Sequence, residues 1–347
     1  MNQDVLQRVA KQMVAPGKGI IAADESASTS KKRFDAVGIP STEENRRRYR
    51  EIIITADGLE EYVSGIILFD ETIRQRTSDG RPFAKVLVDK GILPGIKVDA
   101  GLKELALHPG EKITEGLDGL RERLAEYKTL GATFAKWRAV ITIGSSIPTD
   151  ACIHAHAHAM ARYAALCQEV DIVPIVEPEV LIDGDHSIET CYEVTVKTQK
   201  KLFEELAGQD VFLPGVILKA SMVIAGKEAA RQSTPEEVAR ETVRALKEAV
   251  PSELAGVVFL SGGQGDEQAT ENLNEMNRST ALTADKLPWP LSFSYSRAIQ
   301  NPVLKIWAQN PDKNSAKAVE ALLFRSKMNA LATKGEYSSD MEKERPY

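Results

Sequence analysis

An apolar run that ends abruptly in a charge occurs at Gly215-Val216-Ile217-Leu218-Lys219. A second run, Ile175-Val176-Glu177-Pro178-Glu179, ends in two carboxylates. Such runs are typical of buried strands, and a charge at the end of a buried strand costs free energy unless it is paired or used. Polar side chains that converge from the ends of many strands are typical of the active-site face of a barrel. Other apolar runs here end in the same way, at Asp24, Lys97, Lys136, Ser261 and Arg297.

The alternation of strands and helices predicts the fold class. Eight short apolar runs have strand character, and segments with helical periodicity separate most of them, which favours parallel βαβ units. We therefore expect an α/β protein, a TIM (β/α)8 barrel with extra terminal helices, in a single catalytic domain over residues 1–334. The predicted strands lie near residues 19–24, 63–69, 85–88 (continuing at 95–98), 133–138, 172–177, 215–219, 256–261 and 291–294.

Cap residues mark several of the predicted helices. Ser41-Thr42-Glu43-Glu44 has the pattern of a capping box before a helical stretch at residues 45–56, and Thr234 stands before Pro235 and two further acids. Apolar spacing predicts other helices at residues 116–130, 186–206 and 316–333. Residues 335–347 are charged and polar without periodicity, which predicts a flexible, mobile C-terminal tail.

Composition and charge exclude several classes of protein. The net charge of −6 argues against general binding to nucleic acids or anionic membranes, although it allows a local basic pocket. No apolar stretch approaches the roughly 20 residues of a membrane-spanning helix, and the N-terminus has no signal-peptide pattern. Cys152, Cys167 and Cys191 form no zinc-ligand motif. We expect a cytoplasmic protein with free thiols.

Lys219 is the candidate nucleophile. Burial at a strand end and neighbouring cations both favour the neutral amine of a lysine, which can attack a carbonyl carbon and form a Schiff base. The alternative is a lysine with a buried stem whose ammonium group reaches solvent. Lys219 by itself does not decide between the two.

Two pairs of charges have the spacing of residues on one face of a strand. Repulsion between Glu177 and Glu179 should raise the pKa of one of them toward neutrality, where it can act as an acid or base. Lys136 and Arg138 have the same spacing and would keep both acids from being neutral. The alternatives are helix-capping acids for the glutamates and a surface ion-pair patch for the cations.

Two loops after the last strands suit an anion. Ser261-Gly262-Gly263 offers backbone N–H groups ahead of a helix, and Ser294 and Arg297 follow the next strand, where TIM barrels frequently bind phosphate. A plain tight turn is the alternative for the glycines. Hydroxyl and cationic residues from Ser28 to Arg33 form a further candidate anion loop, or else a solvated loop before a helix.

Three histidines alternate with alanine in the second third of the chain. On a helix only His154 and His158 share a face, while His156 points elsewhere, and the sequence shows no acidic partner at ligand spacing. We therefore expect a solvent-facing or packed set of histidines and no metal site.

Seven motifs, spread almost from end to end, match one known family. They are Gly19-Ile20-Ile21-Ala22-Ala23-Asp24-Glu25-Ser26, Thr42-Glu43-Glu44-Asn45-Arg46-Arg47, Pro94-Gly95-Ile96-Lys97-Val98-Asp99, Phe134-Ala135-Lys136-Trp137-Arg138, Val173-Pro174-Ile175-Val176-Glu177-Pro178-Glu179, Leu260-Ser261-Gly262-Gly263-Gln264, and Ser294-Tyr295 with Arg297. Through them the chain resembles the class I, or Schiff-base, fructose-1,6-bisphosphate aldolases. Like the animal and plant members, it has tyrosine as its last residue, Tyr347.

The resemblance implies a carbon–carbon lyase that reversibly cleaves fructose 1,6-bisphosphate to dihydroxyacetone phosphate and glyceraldehyde 3-phosphate, in glycolysis and gluconeogenesis. In such an enzyme Lys219 would form the iminium with C2 of the ketose. Glu177 would take the C4 hydroxyl proton, supported by Glu179, and Tyr347 would move the proton at the enamine carbon. Formation of the carbinolamine would be assisted by Asp24 and Lys136.

The resemblance also implies ligands and partners. The phosphate next to C1 would be held by Ser261, Gly262 and Arg297. The rest of the substrate would be lined by Arg33, Arg46, Lys97 and Lys136. Small-molecule sugar phosphates are the implied ligands, with no cofactor and no metal, and the implied assembly is a homotetramer.

One departure and two competing interpretations accompany the resemblance. Ser296 stands where the family usually has glycine, and a serine there would strain the loop if its φ were positive. The first competing interpretation is a barrel that has lost turnover and serves as a binding or scaffold protein. The joint presence of four residues argues against it: Lys219, Glu177, Lys136 and Asp24. Another Schiff-base barrel, such as a transaldolase, would not need two phosphate loops.

Overall fold

The apolar runs form a closed barrel of parallel strands in the computed structural model, which describes residues 1–282 and 286–347, except for the side chains of residues 279–282. The strands are β1 (Gly19–Ala23), β2 (Val63–Leu68), β3 (Leu93–Lys97), β4 (Gly101–Glu104), β5 (Lys112–Glu115), β6 (Phe134–Ile141), β7 (Val173–Val180), β8 (Ile217–Ala220), β9 (Gly256–Phe259) and β10 (Leu291–Tyr295). Around the barrel the order is β1, β2, β3, β6, β7, β8, β9 and β10, which returns to β1. The predicted TIM barrel is confirmed.

Helices surround the barrel. They are α1 (Gln3–Met13), α2 (Ala27–Asp35), α3 (Glu43–Thr55), α4 (Asp70–Arg74), α5 (Phe83–Asp89), α6 (Leu120–Thr129), α7 (Asp150–Glu169), α8 (Ile188–Gly208), α9 (Pro235–Ala249), α10 (Asp266–Leu282), α11 (Arg297–Gln309) and α12 (Ser315–Ala332). Short 3-10 helices occur at Leu59–Glu61, Leu213–Gly215 and Ser339–Glu344. Thr234 caps α9 as expected and forms a complete capping box there. The other capped helix, α3, begins at Glu43, two residues before the predicted stretch, and its N-cap is Thr42.

The structure differs from the sequence prediction at four places. Residues 85–88 belong to α5 rather than to a strand, and the third barrel strand begins only at Leu93. Residues 101–115 contribute an antiparallel hairpin, β4 and β5, that the sequence did not suggest. Residues 28–33 lie in α2, whose N-cap is Ser26, so they form a helix rather than a loop. The predicted helix at 116–130 starts later, at Leu120.

Large aromatic side chains fill the amino-terminal half of the barrel interior. The ring of Phe134 occupies the space beside Gly95, where a Cβ would lie 2.2 Å from the ring. Apolar side chains from α1, including Leu6 and Met13, close this end of the barrel. Because this half is packed with apolar groups, charged residues can gather only at the opposite, carboxyl-terminal end.

Strand register places the charged residues at two neighbouring levels of the barrel. Lys97 on β3 is the parallel partner of Lys136 on β6, and Arg138 is the partner of Glu177 on β7. Lys219 on β8 pairs with Val258 on β9. Within the described part of the chain, no helix has the length and apolarity to cross a membrane.

Candidate active site

Four charged side chains meet inside the barrel, toward its carboxyl-terminal end. Lys219 Nζ lies 3.1 Å from Oε1 of Glu177. The other carboxylate oxygen of Glu177 is 3.2 Å from Lys136 Nζ, which also lies 2.6 Å from Oδ2 of Asp24. All four side chains are buried. We call these four residues the buried quartet.

Charge compensation within the buried quartet sets its protonation. Burial opposes ionisation of Asp24, but the charges of Lys136 and Lys219 outweigh it and lower the pKa of Asp24 to about 2. Burial likewise opposes ionisation of Glu177, and the same two lysines with Arg138 lower its pKa. For Lys136, burial is outweighed by Asp24 and Glu177, which raise its pKa. The expectation of a raised pKa is therefore wrong for Glu177, because cations surround it.

This arrangement can support carbonyl chemistry at an amine. Glu177 bridges two lysines, so its carboxylate can exchange a proton with a group bound at Lys219 while Lys136 holds it in place. Lys136 keeps a positive charge next to the reacting carbon, where it can stabilise an oxygen that gains negative charge. The ammonium group of Lys219 does not reach solvent, since the whole side chain is buried.

A second set of ion pairs lies next to the buried quartet. Arg138 Nε forms a direct ion pair with Oε2 of Glu179. Lys97 Nζ lies 2.7 Å from Oδ1 of Asp99. Asp99 also accepts a hydrogen bond of 3.2 Å from the backbone N–H of Gly101, at the start of the hairpin. Sequence reasoning did not select Asp99, although it lies within one of the quoted motifs.

The two candidate anion loops follow β9 and β10. Ser261 is buried, and Gly262 and Gly263 have φ of +54° and +93°, a backbone conformation that favours glycine. Arg297 begins α11, and the Oγ atom of Ser294 is buried without a hydrogen-bond partner among the described residues. An unpartnered buried hydroxyl and a helix N-terminus are both suited to a polar or anionic ligand.

A buried carboxylate connects the loop before Arg297 to α2. Oε1 of Glu25 accepts hydrogen bonds from Ser296 Oγ at 2.8 Å and from Gln300 Nε2 at 2.9 Å. The same carboxylate pairs with Arg33 and with the buried Arg50. Ser296 has φ of −105°, so the serine is not strained at this position. Glu25 also lies within a quoted motif, but its partners come from distant parts of the chain.

The comparisons with known proteins agree with this geometry. Residues 5–346 match the family model described as fructose-bisphosphate aldolase class-I. The chain is 60% identical over 337 residues, 97% of its length, to a probable fructose-bisphosphate aldolase class 1 of Xanthomonas campestris, of which the match covers 99%. It is 48% identical over 327 residues, 94% of its length, to the cytosolic fructose-bisphosphate aldolase 4 of Arabidopsis thaliana, of which 82% is covered.

A solved structure agrees in fold as well. The fructose-bisphosphate aldolase of Plasmodium falciparum, crystallised in complex with TRAP and a small-molecule inhibitor, matches with a TM-score of 0.93 and 47% identity, over 97% of this chain and 96% of that one. The chain belongs to the class-I fructose-bisphosphate aldolase family. Family members are carbon–carbon lyases, and the (β/α)8 barrel of this class-I aldolase is the fold of its solved relative.

The last residues of this class-I aldolase lie against α10 and α12. Arg325 of α12, fully buried, pairs with Glu342 at 2.5 Å, and Arg345 pairs with Glu342 at 2.6 Å. Tyr347 packs edge-on against Phe324 with a ring separation of 6.2 Å and is 40% exposed. The mobility predicted for residues 335–347 stays a prediction.

Tyr347 and Arg297 line one cavity. It has a volume of about 670 Å³ and is also lined by Gln264, Asp266 and Lys317. Burial raises the pKa of Tyr347 to about 12, against the opposing effect of Arg325 and Arg345. The phenol is therefore protonated at neutral pH and can serve as a proton donor.

Other predicted residues of this class-I aldolase are engaged outside the buried quartet. Arg46 binds Glu71 through Nε at 2.8 Å and donates to the carbonyl oxygen of Ser41 at 2.7 Å. His154 and His158 lie 3.1 and 3.2 Å from Glu205 of α8 on an exposed face. No cluster of three side chains that could hold a metal ion occurs among residues 1–282 and 286–347.

Proposed function

We propose that the chain catalyses the reversible cleavage of fructose 1,6-bisphosphate to dihydroxyacetone phosphate and glyceraldehyde 3-phosphate through a Schiff base on Lys219. The observation that carries this proposal is the buried quartet, in which the Glu177 carboxylate lies 3.1 Å from the amine of Lys219 and 3.2 Å from the fixed cation of Lys136. The substrate class is that of the two relatives from Xanthomonas campestris and Arabidopsis thaliana, both of which are fructose-bisphosphate aldolases by name.

Bond formation begins at the ketose carbonyl. Lys219 passes a proton to the Glu177 carboxylate, 3.1 Å away, and its neutral amine attacks C2 to give a carbinolamine. Glu177 then gives that proton to the C2 hydroxyl, which leaves as water. Lys136, held by Asp24, stabilises the oxygen as charge develops on it. The product of this step is an iminium ion, which attracts electrons from the neighbouring carbons.

Bond cleavage follows from that electron demand. Glu177, now a carboxylate, takes the C4 hydroxyl proton, and the electrons of the C3–C4 bond move into the iminium to leave an enamine. Glyceraldehyde 3-phosphate departs as the aldehyde. Tyr347 donates a proton to the enamine carbon, and hydrolysis of the resulting iminium releases dihydroxyacetone phosphate. Because the iminium accepts the electron pair, the proposed mechanism needs no metal and no cofactor.

The remaining predicted residues take binding roles in this proposal. Glu179 holds Arg138 at the rim of the buried quartet, and Glu25 holds Arg33 beside the loop before Arg297. The phosphate next to C1 is bound by the loop Ser261-Gly262-Gly263, by Ser294 and by Arg297. The second phosphate and the sugar hydroxyls are bound by Arg33, Arg46, Lys97 and Arg138.

The proposed reaction is tested by following both products. Purified protein incubated with fructose 1,6-bisphosphate should release dihydroxyacetone phosphate and glyceraldehyde 3-phosphate in equal amounts, as measured by phosphorus NMR. Turnover should persist in EDTA. A protein that transfers the three-carbon unit only to an added acceptor aldehyde, without free dihydroxyacetone phosphate, would instead be a transaldolase.

We expect Arg297→Ala to weaken phosphate binding. The loss of a charge-assisted hydrogen bond costs about 1.5–3 kcal/mol, which corresponds to a rise in KM of roughly 10- to 150-fold. Both fructose 1,6-bisphosphate and fructose 1-phosphate should be affected, because each carries the C1 phosphate. Lys317→Ala, which removes a cation from another wall of the same cavity, should have a smaller effect. Unchanged KM values for both sugars in Arg297→Ala would remove this residue from the phosphate site.

Deletion of Tyr347 should slow proton exchange at the enamine carbon more than it slows carbon–carbon cleavage. The enamine should then accumulate and become accessible to an oxidant such as hexacyanoferrate. Exchange of the C3 hydrogen of dihydroxyacetone phosphate with solvent, followed by proton NMR, measures the step. Tyr337→Phe is the matched control, since Tyr337 belongs to the same segment and its hydroxyl bonds Glu342 at 3.1 Å. An exchange rate unchanged by the deletion would assign the proton to another group.

We further propose a cytoplasmic homotetramer. The name of the Arabidopsis relative, which specifies a cytosolic enzyme, supports the cytoplasmic location. The resemblance to class I aldolases supports the homotetramer.

A further inference from the structure

A lysine that sequence reasoning did not select lies beside the Ser261-Gly262-Gly263 loop. Lys227 is in the segment after β8, and that segment is bound by its backbone to the segment after β7. The N–H groups of Gly226, Lys227 and Glu228 donate to the carbonyl oxygens of His186, Ile182 and Gly184 at 2.8, 2.9 and 2.9 Å. Three consecutive hydrogen bonds therefore fix the backbone position of Lys227.

The two segments approach each other more closely than a side chain would permit. A Cβ on Gly226 would lie 2.2 Å from the carbonyl oxygen of Gly184, so glycine is required at this crossing. The Gln232 side chain adds a hydrogen bond of 3.0 Å to the carbonyl oxygen of Gly226. Lys227 thus extends from a rigid support rather than from a free loop.

The Lys227 side chain extends to the anion loop after β9. A Cβ on Gly263 would lie 2.9 Å from Nζ of Lys227 and 3.0 Å from its Cε, so the ammonium group contacts the loop at the second glycine. Its acidic partner is Asp183, whose Oδ1 is 3.3 Å away. That separation is long for a charge-assisted hydrogen bond, and the Lys227 side chain is 44% exposed. The ammonium group can therefore move to a stronger anion.

We propose that Lys227 binds the phosphate monoester held by the Ser261-Gly262-Gly263 loop, and that Asp183 holds the lysine there when no substrate is bound. This inference rests on the proposed function, because it takes the loop as the phosphate site. A phosphate dianion carries more charge than the Asp183 carboxylate and offers three acceptor oxygens, so it competes well for the ammonium group. The ligand class is the phosphate end of a ketose or triose phosphate.

The test compares three variants by their response to inorganic phosphate. Lys227→Gln should raise KM for fructose 1,6-bisphosphate, and the inhibition constant of inorganic phosphate, by about fivefold, the scale of a partly exposed ion pair. Asp183→Asn should lower both constants, because it releases the Lys227 ammonium group from its ion pair. Lys197→Gln is the matched control, since Lys197 is a similarly exposed lysine that pairs with one aspartate, Asp150, on distant helices.

The outcomes separate this inference from the proposed function. Equal phosphate inhibition in wild type, Lys227→Gln and Asp183→Asn, together with a dihydroxyacetone phosphate adduct on Lys219, would overturn the role of Lys227 alone. Equal shifts in Lys227→Gln and Lys197→Gln would also overturn it, because the effect would then come from net charge. A wild-type protein that forms no adduct would overturn the proposed function itself.

Discussion

Lys219→Met should abolish turnover of fructose 1,6-bisphosphate. Methionine has nearly the same length and fills the same buried space, but it has no amine to attack the ketose carbonyl. The substitution also removes one of the two cations next to Glu177, which lies 3.1 Å from Lys219 Nζ. We expect kcat/KM to fall by more than about 10⁴-fold, since no other route in the site forms the iminium.

Lys97→Met is the matched control for this variant. Lys97 lies at the end of β3 and pairs with Asp99, so its loss removes a charge from the same face of the barrel without touching the nucleophile. We expect weaker substrate binding with retained covalent chemistry. Substantial turnover in folded Lys219→Met protein, with circular dichroism like that of the wild type, would contradict the assignment of the nucleophile.

Glu177→Gln should lower kcat by about 10²- to 10⁴-fold, the usual contribution of a general acid–base group. The amide keeps the shape of the carboxylate but can neither take the C4 hydroxyl proton nor donate one to the leaving water. Both the dehydration of the carbinolamine and the cleavage step should slow. Single-turnover kinetics with fructose 1,6-bisphosphate would measure the second step apart from product release.

Stability must be measured on the same variant. Removal of one partner from a buried ion pair costs about 3–5 kcal/mol, and Glu177 faces both Lys136 and Lys219. Glu179→Gln is the matched control, because Glu179 is a buried carboxylate two residues away that pairs with Arg138 instead. If kcat fell as far in Glu179→Gln as in Glu177→Gln, and the two variants were equally stable to heat, the central role of Glu177 would be contradicted.

The barrel and its polar end were predictable because both depend on local sequence. Each strand contains a short apolar run, and the charged residue that ends this run, such as Lys219 or Glu177, follows directly in the chain. Residues 85–88 were misassigned because a short apolar run does not distinguish a strand from one face of a helix. The hairpin of β4 and β5 has a single buried residue, Thr114, so it lacks the apolar signal of a strand.

Long-range contacts account for the functional residues that were missed. Glu25 gains its importance from Ser296 and Gln300, more than 270 residues later in the chain. Lys227 belongs to no recognised motif, and only the crossing of two loops carries it to Gly263. The lowered pKa of Glu177 also escaped prediction, since the sequence spacing shows its repulsion by Glu179 but not how closely Lys136 and Lys219 approach the carboxylate.

Covalent trapping of the substrate tests the central claim most directly. Wild-type protein is incubated with dihydroxyacetone phosphate, reduced with borohydride, digested and sequenced by mass spectrometry. We predict a single stable adduct on Lys219, unaffected by EDTA and absent from Lys219→Met. An adduct on Lys136 or Lys97, or no adduct in protein that turns over fructose 1,6-bisphosphate, would contradict the account.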